Sequence, residues 1–180
     1  MLFQNGKLTV RELEQKDNHF LAKWLSDPYV LQFYEGRDNP FHLQKVNEKF
    51  YTPQEDLIRC LIKFENMEIG YIQFYQLDKS MRENYGYPND EEVIYGMDQF
   101  IGETKYWNKG IGETLIKSMV DYLVNKRHAD KVVMDPQTWN KRALRCYEKC
   151  GFKKIKLLPE HELHEGEYRD SWLIEYQKPE

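Results

Sequence analysis

Residues 110–124 constrain the fold more than any other stretch. Ile111, Leu115, Ile116, Met119, Val120 and Leu123 fall on one stripe of an amphipathic helix. A stripe of that kind has to be buried against a second layer. The rest of the chain supplies one. Residues 7–11 alternate like a strand. Residues 57–62 and 69–74 are strand-like runs joined by a turn over 65–68. Residues 93–101 and 131–134 give two more strands, and 152–158 and 171–176 the last two. Asp17 is placed to cap a helix through Phe20, Leu21 and Trp24. Pro40 opens another helix, with Leu43, Val46 and Phe50 on one face. Residues 140–150 form a third, closed by Gly151. Residues 78–90 are polar, contain Gly86 and Pro88, and read as a loop. The sum is an α/β layer structure with a mixed sheet, one domain over residues 1–180.

At 180 residues and 41% apolar, the chain can bury a proper core. No apolar run approaches the ~20 residues that span a bilayer, and the first residues lack the pattern of a signal peptide. Cys60, Cys146 and Cys150 then read as reduced thiols, which fits a cytoplasmic protein outside any membrane. A formal net charge of −4 argues against a nucleic-acid partner. Acidic residues gather at Asp90-Glu91-Glu92 and again at Glu160, Glu162, Glu165 and Glu167. Such clusters either solvate a surface or draw in a polycation. His161 and His164 lack the His-Glu-x-x-His order, and no cysteine pair has zinc spacing, so no metal is expected.

Three segments carry chemistry. Tyr106-Trp107-Asn108-Lys109-Gly110-Ile111-Gly112-Glu113-Thr114 follows a strand and opens a helix. Its glycines let backbone approach a ligand, and the first N–H groups of the helix can hold a pyrophosphate. The segment has neither the Gly-Lys-Ser/Thr ending of a P-loop nor the third glycine of a dinucleotide fingerprint. On the helix over 140–150, Ala143, Tyr147 and Cys150 share a face along which a thin ligand could lie; a packed tyrosine is the alternative. In Tyr95-Gly96-Met97-Asp98-Gln99-Phe100, Asp98 shares a strand face with Ile94, Gly96 and Phe100. An ionisable group in such apolar company is a candidate for function.

Together these segments resemble the GNAT superfamily of acetyl-CoA-dependent N-acetyltransferases. The match falls on Gly110-Ile111-Gly112 for the pyrophosphate loop and on Asn140, Ala143, Tyr147 and Gly151-Phe152 further on. Trp107 stands where the family often has Gln or Arg. The resemblance implies a mixed, mostly antiparallel sheet with splayed central strands flanked by helices, and acetyl-CoA as acetyl donor. It implies backbone contacts to coenzyme A from Phe100 and Ile101, further contacts from Asn108 to Thr114, and others from Asn140, Ala143 and Tyr147.

A narrower resemblance, over roughly residues 7 to 177, is to the aminoglycoside 6′-N-acetyltransferases. It rests on Gly96-Met97-Asp98-Gln99, Phe33-Tyr34-Glu35-Gly36 and Ile69-Gly70-Tyr71-Ile72-Gln73. Leu158-Pro159-Glu160-His161-Glu162-Leu163-His164-Glu165-Gly166 is similar to the acetyltransferase half of the bifunctional aminoglycoside-modifying enzymes. With no phosphotransferase part before Glu180, only acetylation is implied. Asp98 is then expected to bind the 6′-ammonium and accept its proton, and Tyr147 to protonate the departing thiolate. Asp135 and Asp170 are expected to help hold the polycationic acceptor, with Glu35, and with Glu91 and Glu92 as lesser candidates. Tyr34, Tyr71 and, as the lesser choice beside a core role, Trp24 are expected to pack against sugar rings. Direct attack by the amine leaves no need for Cys146 or Cys150 as nucleophile. Two other readings stand beside this one: a GNAT enzyme for a different amine, and a non-catalytic acyl-CoA-binding sensor. Monomer and homodimer are left equally open.

Overall fold

The computed structural model describes residues Met1–Glu180. The chain begins with strands β1 (Phe3–Asn5) and β2 (Leu8–Glu12), then helices α1 (Asn18–Trp24), α2 (Pro28–Leu31) and α3 (Leu43–Phe50). Strands β3 (Leu57–Phe64) and β4 (Met67–Gln76), helix α4 (Lys79–Tyr85) and strand β5 (Ile94–Ile101) follow. Helix α5 (Ile111–Lys126), strand β6 (Lys131–Met134), helix α6 (Lys141–Lys149) and strands β7 (Lys153–His164) and β8 (Glu167–Gln177) complete it. The eight strands take the order β1-β2-β3-β4-β5-β6-β8-β7, so β6 enters beside β5 and before the final hairpin. The β5–β6 pair is parallel, whereas β1–β2, β2–β3 and β6–β8 are antiparallel.

Local chemistry sets the turns. Glu65 and Asn66 both take left-handed backbone, with φ of 49° and 64°, which is the geometry of a two-residue hairpin turn between β3 and β4. Helix α6 starts where Asn140 Oδ1 accepts the Ala143 N–H at 3.4 Å. It ends at Gly151, whose φ of 96° allows Phe152 N–H to reach Tyr147 O at 3.1 Å.

The chain groups into two compact units. One comprises Met1–Gln73, Asp98–Gly112 and His164–Glu167; the other comprises Phe74–Met97, Glu113–Leu163 and Tyr168–Glu180. The first is built around Leu21, Trp24, Leu25, Val46, Phe50, Leu61, Tyr71 and Phe100. A core cluster of the second joins Leu77, Ile94, Val133, Leu158 and Leu173.

Four expectations are corrected. Asp17 precedes α1 without capping it. Its buried carboxylate accepts Arg11 Nη1 and Nη2 at 2.8 and 2.9 Å and the Glu14 N–H at 2.8 Å. Helix α3 begins after His42 rather than at Pro40, and Leu43 is exposed while Val46 and Phe50 are buried. Residues 78–90 include α4, because Asp78 Oδ1 accepts the Met81 N–H at 2.8 Å and Gly86 closes the helix at φ 83°. The residue that α4 buries is Arg82, which donates to Asn89 O and Glu92 O and so hid the helix from an apolar pattern. Strands β7 and β8 run longer than expected, up to a turn at Glu165 and Gly166 with φ of 52° and 84°.

Burial acts to raise the Asp17 carboxyl, but the Arg11 fork and the Glu14 N–H outweigh it and the net direction is down. A carboxyl depressed in the folded state stabilises above its unfolded value and stops doing so as pH falls through the folded value. Asp17→Asn is therefore expected to cost about 3 kcal/mol at pH 7, lowering the melting midpoint by several degrees. The difference between the two proteins should shrink below about pH 4. Thermal unfolding over a pH series measures both.

Candidate active site

Strand β5 has two unlike edges. Towards β4, Ile94 O accepts the Leu77 N–H at 2.9 Å at one end, and Gly102 N–H donates to Ile69 O at 2.7 Å at the other. Backbone groups alternate along an antiparallel ladder, so Ile94, Gly96, Asp98 and Phe100 direct theirs to β4. Gly70 confirms that parity, since a Cβ there would lie 2.4 Å from Phe100 O. Tyr95, Met97, Gln99 and Ile101 direct theirs to the opposite edge. There the parallel ladder with β6 comprises Ile94↔Lys131, Tyr95↔Val132 and Gly96↔Val133, while β5 itself continues to Ile101. Trp107 Nε1–H donates to Ile101 O at 2.8 Å, and its ring meets Phe33 edge-on at 5.8 Å.

The Phe100 carbonyl faces Gly70 on β4. Ile101 and Gln99, the latter given no role from sequence, direct their backbone groups to the other edge. Counting strand parity back from Asp98 would have found Gln99.

On one face of the strands, Tyr71 and Gln73 of β4 stand beside Asp98 and Phe100 of β5. Tyr71 Oη–H donates to Gln73 Oε1 at 2.7 Å, and Gln73 Nε2–H donates to Asp98 Oδ2 at 2.9 Å. Burial pushes the Tyr71 phenol up, so it stays protonated and donating. Tyr71 has no exposed surface, and its ring faces Phe50 and Phe100 at 5.1 and 5.7 Å. It is therefore not a sugar platform, and its access to the site is through Gln73. Trp24 is likewise core, with Nε1–H donating to Glu103 at 2.5 Å. Tyr34 is half-buried against Phe100 at 4.6 Å. Glu35, at φ 72°, is ion-paired to Lys49 at 2.6 Å and accepts from Asn39 at 3.3 Å.

In the expected cofactor loop, Asn108 and Gly110 take φ of 60° and 77°, and a Cβ on Gly110 would meet nothing within 4 Å. That exposed bend, with the N–H groups of a 16-residue helix behind it, fits a pyrophosphate. Lys109 lies over the Tyr106 ring at 5.9 Å. The Glu113 carboxylate is tied to Lys117 at 2.8 Å. Asn140 caps α6, where Ala143 and Tyr147 are half-buried and the Tyr147 ring meets Phe152 at 6.4 Å. Cys150 Sγ donates to Glu113 O at 3.7 Å.

The other acidic candidates are engaged locally. Asp135 Oδ2 accepts from Tyr85 Oη at 3.2 Å and lies 2.8 Å from His161 Nε2. Asp170 Oδ1 accepts the Glu160 N–H at 2.9 Å. Glu92 pairs with Lys131 at 3.0 Å. In the acidic segment, Arg37 forks onto Glu165 at 2.5 and 2.8 Å and pulls its carboxyl down to about 2.

The sequence profile described as "Acetyltransferase (GNAT) domain" matches residues 14–159. The chain belongs to the GNAT acetyltransferase family. It is an acetyltransferase whose α/β architecture, with an eight-strand, mostly antiparallel sheet, is the GNAT fold. It is 27% identical over 153 residues to the aminoglycoside N(6′)-acetyltransferase type 1 of Klebsiella pneumoniae, covering 83% of this chain and 76% of that protein. A kanamycin resistance protein of Rhizobium radiobacter is 38% identical over 61 residues, 34% of this chain and 56% of that one. Among solved structures, aminoglycoside acetyltransferase AAC(6')-Ib with coenzyme A and kanamycin superposes with a TM-score of 0.73 at 25% identity, covering 95% of each chain. The spermidine N-acetyltransferase of Vibrio cholerae with coenzyme A and spermine gives 0.77 at 20% identity over 96% of each, which shares the fold alone.

In this GNAT chain the hydrogen bond that His161 donates to Asp135 raises the imidazole, with burial opposing. A raised histidine stabilises below its unfolded value, and the contribution is lost as pH rises through the folded value. NMR titration is expected to place His161 above the usual ~6.5 and Asp135→Asn to bring it down. An unmoved His161 in that variant would show that the pair does not form.

Proposed function

We propose that this GNAT enzyme transfers the acetyl group of acetyl-CoA to the 6′-amine of aminoglycoside antibiotics, and so confers resistance to them. The observation that carries the reading is Asp98, a half-buried carboxylate on β5 held by a neutral amide. The 27% identity to an aminoglycoside N(6′)-acetyltransferase supports the choice of acceptor.

Asp98 takes the 6′-ammonium, orients it and removes one proton. The amine nitrogen then attacks the thioester carbon directly. Backbone N–H groups of β5 directed away from β4, at Gln99 and Ile101, polarise the carbonyl oxygen. As the C–S bond breaks, Tyr147 gives a proton to the coenzyme A thiolate, and the second proton leaving the amine nitrogen as it becomes an amide returns to Tyr147 through water. Asn108 to Thr114 hold the pyrophosphate through backbone N–H groups, with Asn140 and Ala143 shaping the start of α6 beside Tyr147. Asp135 and Asp170 meet further ammonium groups of the acceptor, Asp135 while keeping His161 and Tyr85. Tyr34 lies along a sugar ring, and Glu35 keeps the surrounding loop in place through Lys49. The free thiols Cys60, Cys146 and Cys150 accord with a cytoplasmic enzyme. No helix is long and apolar enough to cross a membrane.

The test is thiol release from acetyl-CoA with kanamycin A, with a matched aminoglycoside carrying a 6′-hydroxyl, and with spermine. Fast release with the amine and little with the other two is expected. Equal rates with amine and hydroxyl would sink the 6′ assignment, and fast release with spermine alone would move the acceptor to a polyamine. Asp98→Asn is expected to cut turnover with kanamycin about 100-fold or more.

A further inference from the structure

We infer that Gln73 is a positioning residue for Asp98, with the Tyr71 hydroxyl holding the far end of the Gln73 amide. The inference rests on the reading of Asp98 as the group that receives the amine.

A glutamine amide has two ends of similar shape and opposite polarity. Its oxygen only accepts hydrogen bonds and its nitrogen only donates. An ionised carboxylate only accepts. Tyr71 Oη–H lies 2.7 Å from Gln73 Oε1, and Gln73 Nε2 lies 2.9 Å from Asp98 Oδ2. Donation therefore runs one way, from phenol to amide oxygen and from amide nitrogen to carboxylate. Turning the amide over would set Oε1 against Oδ2, lone pair to lone pair. The acceptor-only carboxylate forbids this, and Tyr71, fully buried among Phe50, Phe100 and their neighbours, keeps its hydroxyl in reach of the other end of the amide.

The strands supply the spacing without further help. Tyr71 and Gln73 are two residues apart on β4 and so share a face. Gly70 lets β5 lie close, since any side chain there would strike the Phe100 carbonyl.

The terminal torsion of an aspartate is soft, so a carboxylate on a strand turns freely unless something holds one oxygen. Gln73 holds Oδ2 and thereby sets the plane of the group. It does so without bringing a cation. Glu35, Glu165 and Glu92 are instead held by Lys49, Arg37 and Lys131. A neutral holder orients Asp98 without adding a positive charge of its own. Loss of that orientation is costly, because a shift of about 1 Å in a reacting group can slow a reaction ~100-fold.

The test is a double-mutant cycle on the full-length enzyme with kanamycin A and acetyl-CoA: Gln73→Leu, Asp98→Asn and the pair together. Gln73→Leu is expected to lower kcat/KM for kanamycin about tenfold, the scale of one hydrogen bond to a charged group. Its KM for acetyl-CoA should stay within about twofold, because only the acceptor side is touched. In the Asp98→Asn background the same substitution should cost nothing further, since the group it positions is gone. Should Gln73→Leu fail to melt cooperatively, Tyr71→Phe answers in its place. It removes one oxygen, and a smaller fall is expected, again absent beside Asp98→Asn. Losses that multiply fully in the double variant would mean a purely structural role and overturn the inference. Wild-type kcat/KM in the Gln73 variant, beside a slow Asp98→Asn, would remove Gln73 alone. Wild-type turnover in Asp98→Asn would remove the base and, with it, any need for a positioning residue.

Discussion

A backbone amide that loses its ladder partner inside a protein must find another or cost about 1–3 kcal/mol. Strand β5 meets that constraint unevenly. It is hydrogen-bonded to β4 from Ile94 to Gly102, but its parallel ladder with β6 comprises three pairs. Beyond Gly96, the backbone groups of Met97, Gln99 and Ile101 are directed away from β4. The chain meets one of these needs itself, because Trp107 donates to the Ile101 carbonyl. This edge is where we propose that the pantetheine arm of coenzyme A, which carries its own amides, is held. Trp107 stands where the family often has Gln or Arg. Its indole ties the loop back to the strand it leaves.

The same strand displays the carboxylate, and its glycines make that possible. Gly96 has no side chain because Tyr75 lies where one would be: a Cβ would come within 2.6 Å of the Tyr75 ring. Gly70 gives way to the Phe100 carbonyl, and Gly102 to the Trp24 indole. Three close approaches thus fix β4 against β5 and the core against the end of β5. Held in this way, Tyr71, Gln73 and Asp98 form a chain of donors that ends on the carboxylate.

Much of this is legible in the sequence where one physical pattern acts alone. The stripe of α5, the residues of β6 and the Asn140 and Gly151 ends of α6 are local signals, and each stands where its pattern puts it. Helix α4 was hidden because its buried residue is an arginine, although Asp78 and Gly86 mark both ends. Tyr71 illustrates the limit for site residues. A tyrosine near a sugar site reads as a platform, and only the three-dimensional core reveals that its ring is enclosed and its hydroxyl is the useful part. Asp17 reads as a helix cap because Arg11, six residues earlier, is not an evident partner until β2 and α1 are folded together. Charge clusters fare worst. The acidic segment looks like a field for a polycation, yet Glu165 answers to Arg37, 128 residues away in sequence.

The proposed seat of the acetyl donor is the edge of β5 to which Gln99 and Ile101 direct their backbone groups. Residue-resolved amide hydrogen exchange, with and without saturating coenzyme A, tests it directly. Exchange at Gln99 and Ile101 is predicted to slow when coenzyme A binds, while Asp98 and Phe100, already facing β4, change little. Unaltered exchange at Gln99 and Ile101, or slowing confined to β1–β3, would contradict it.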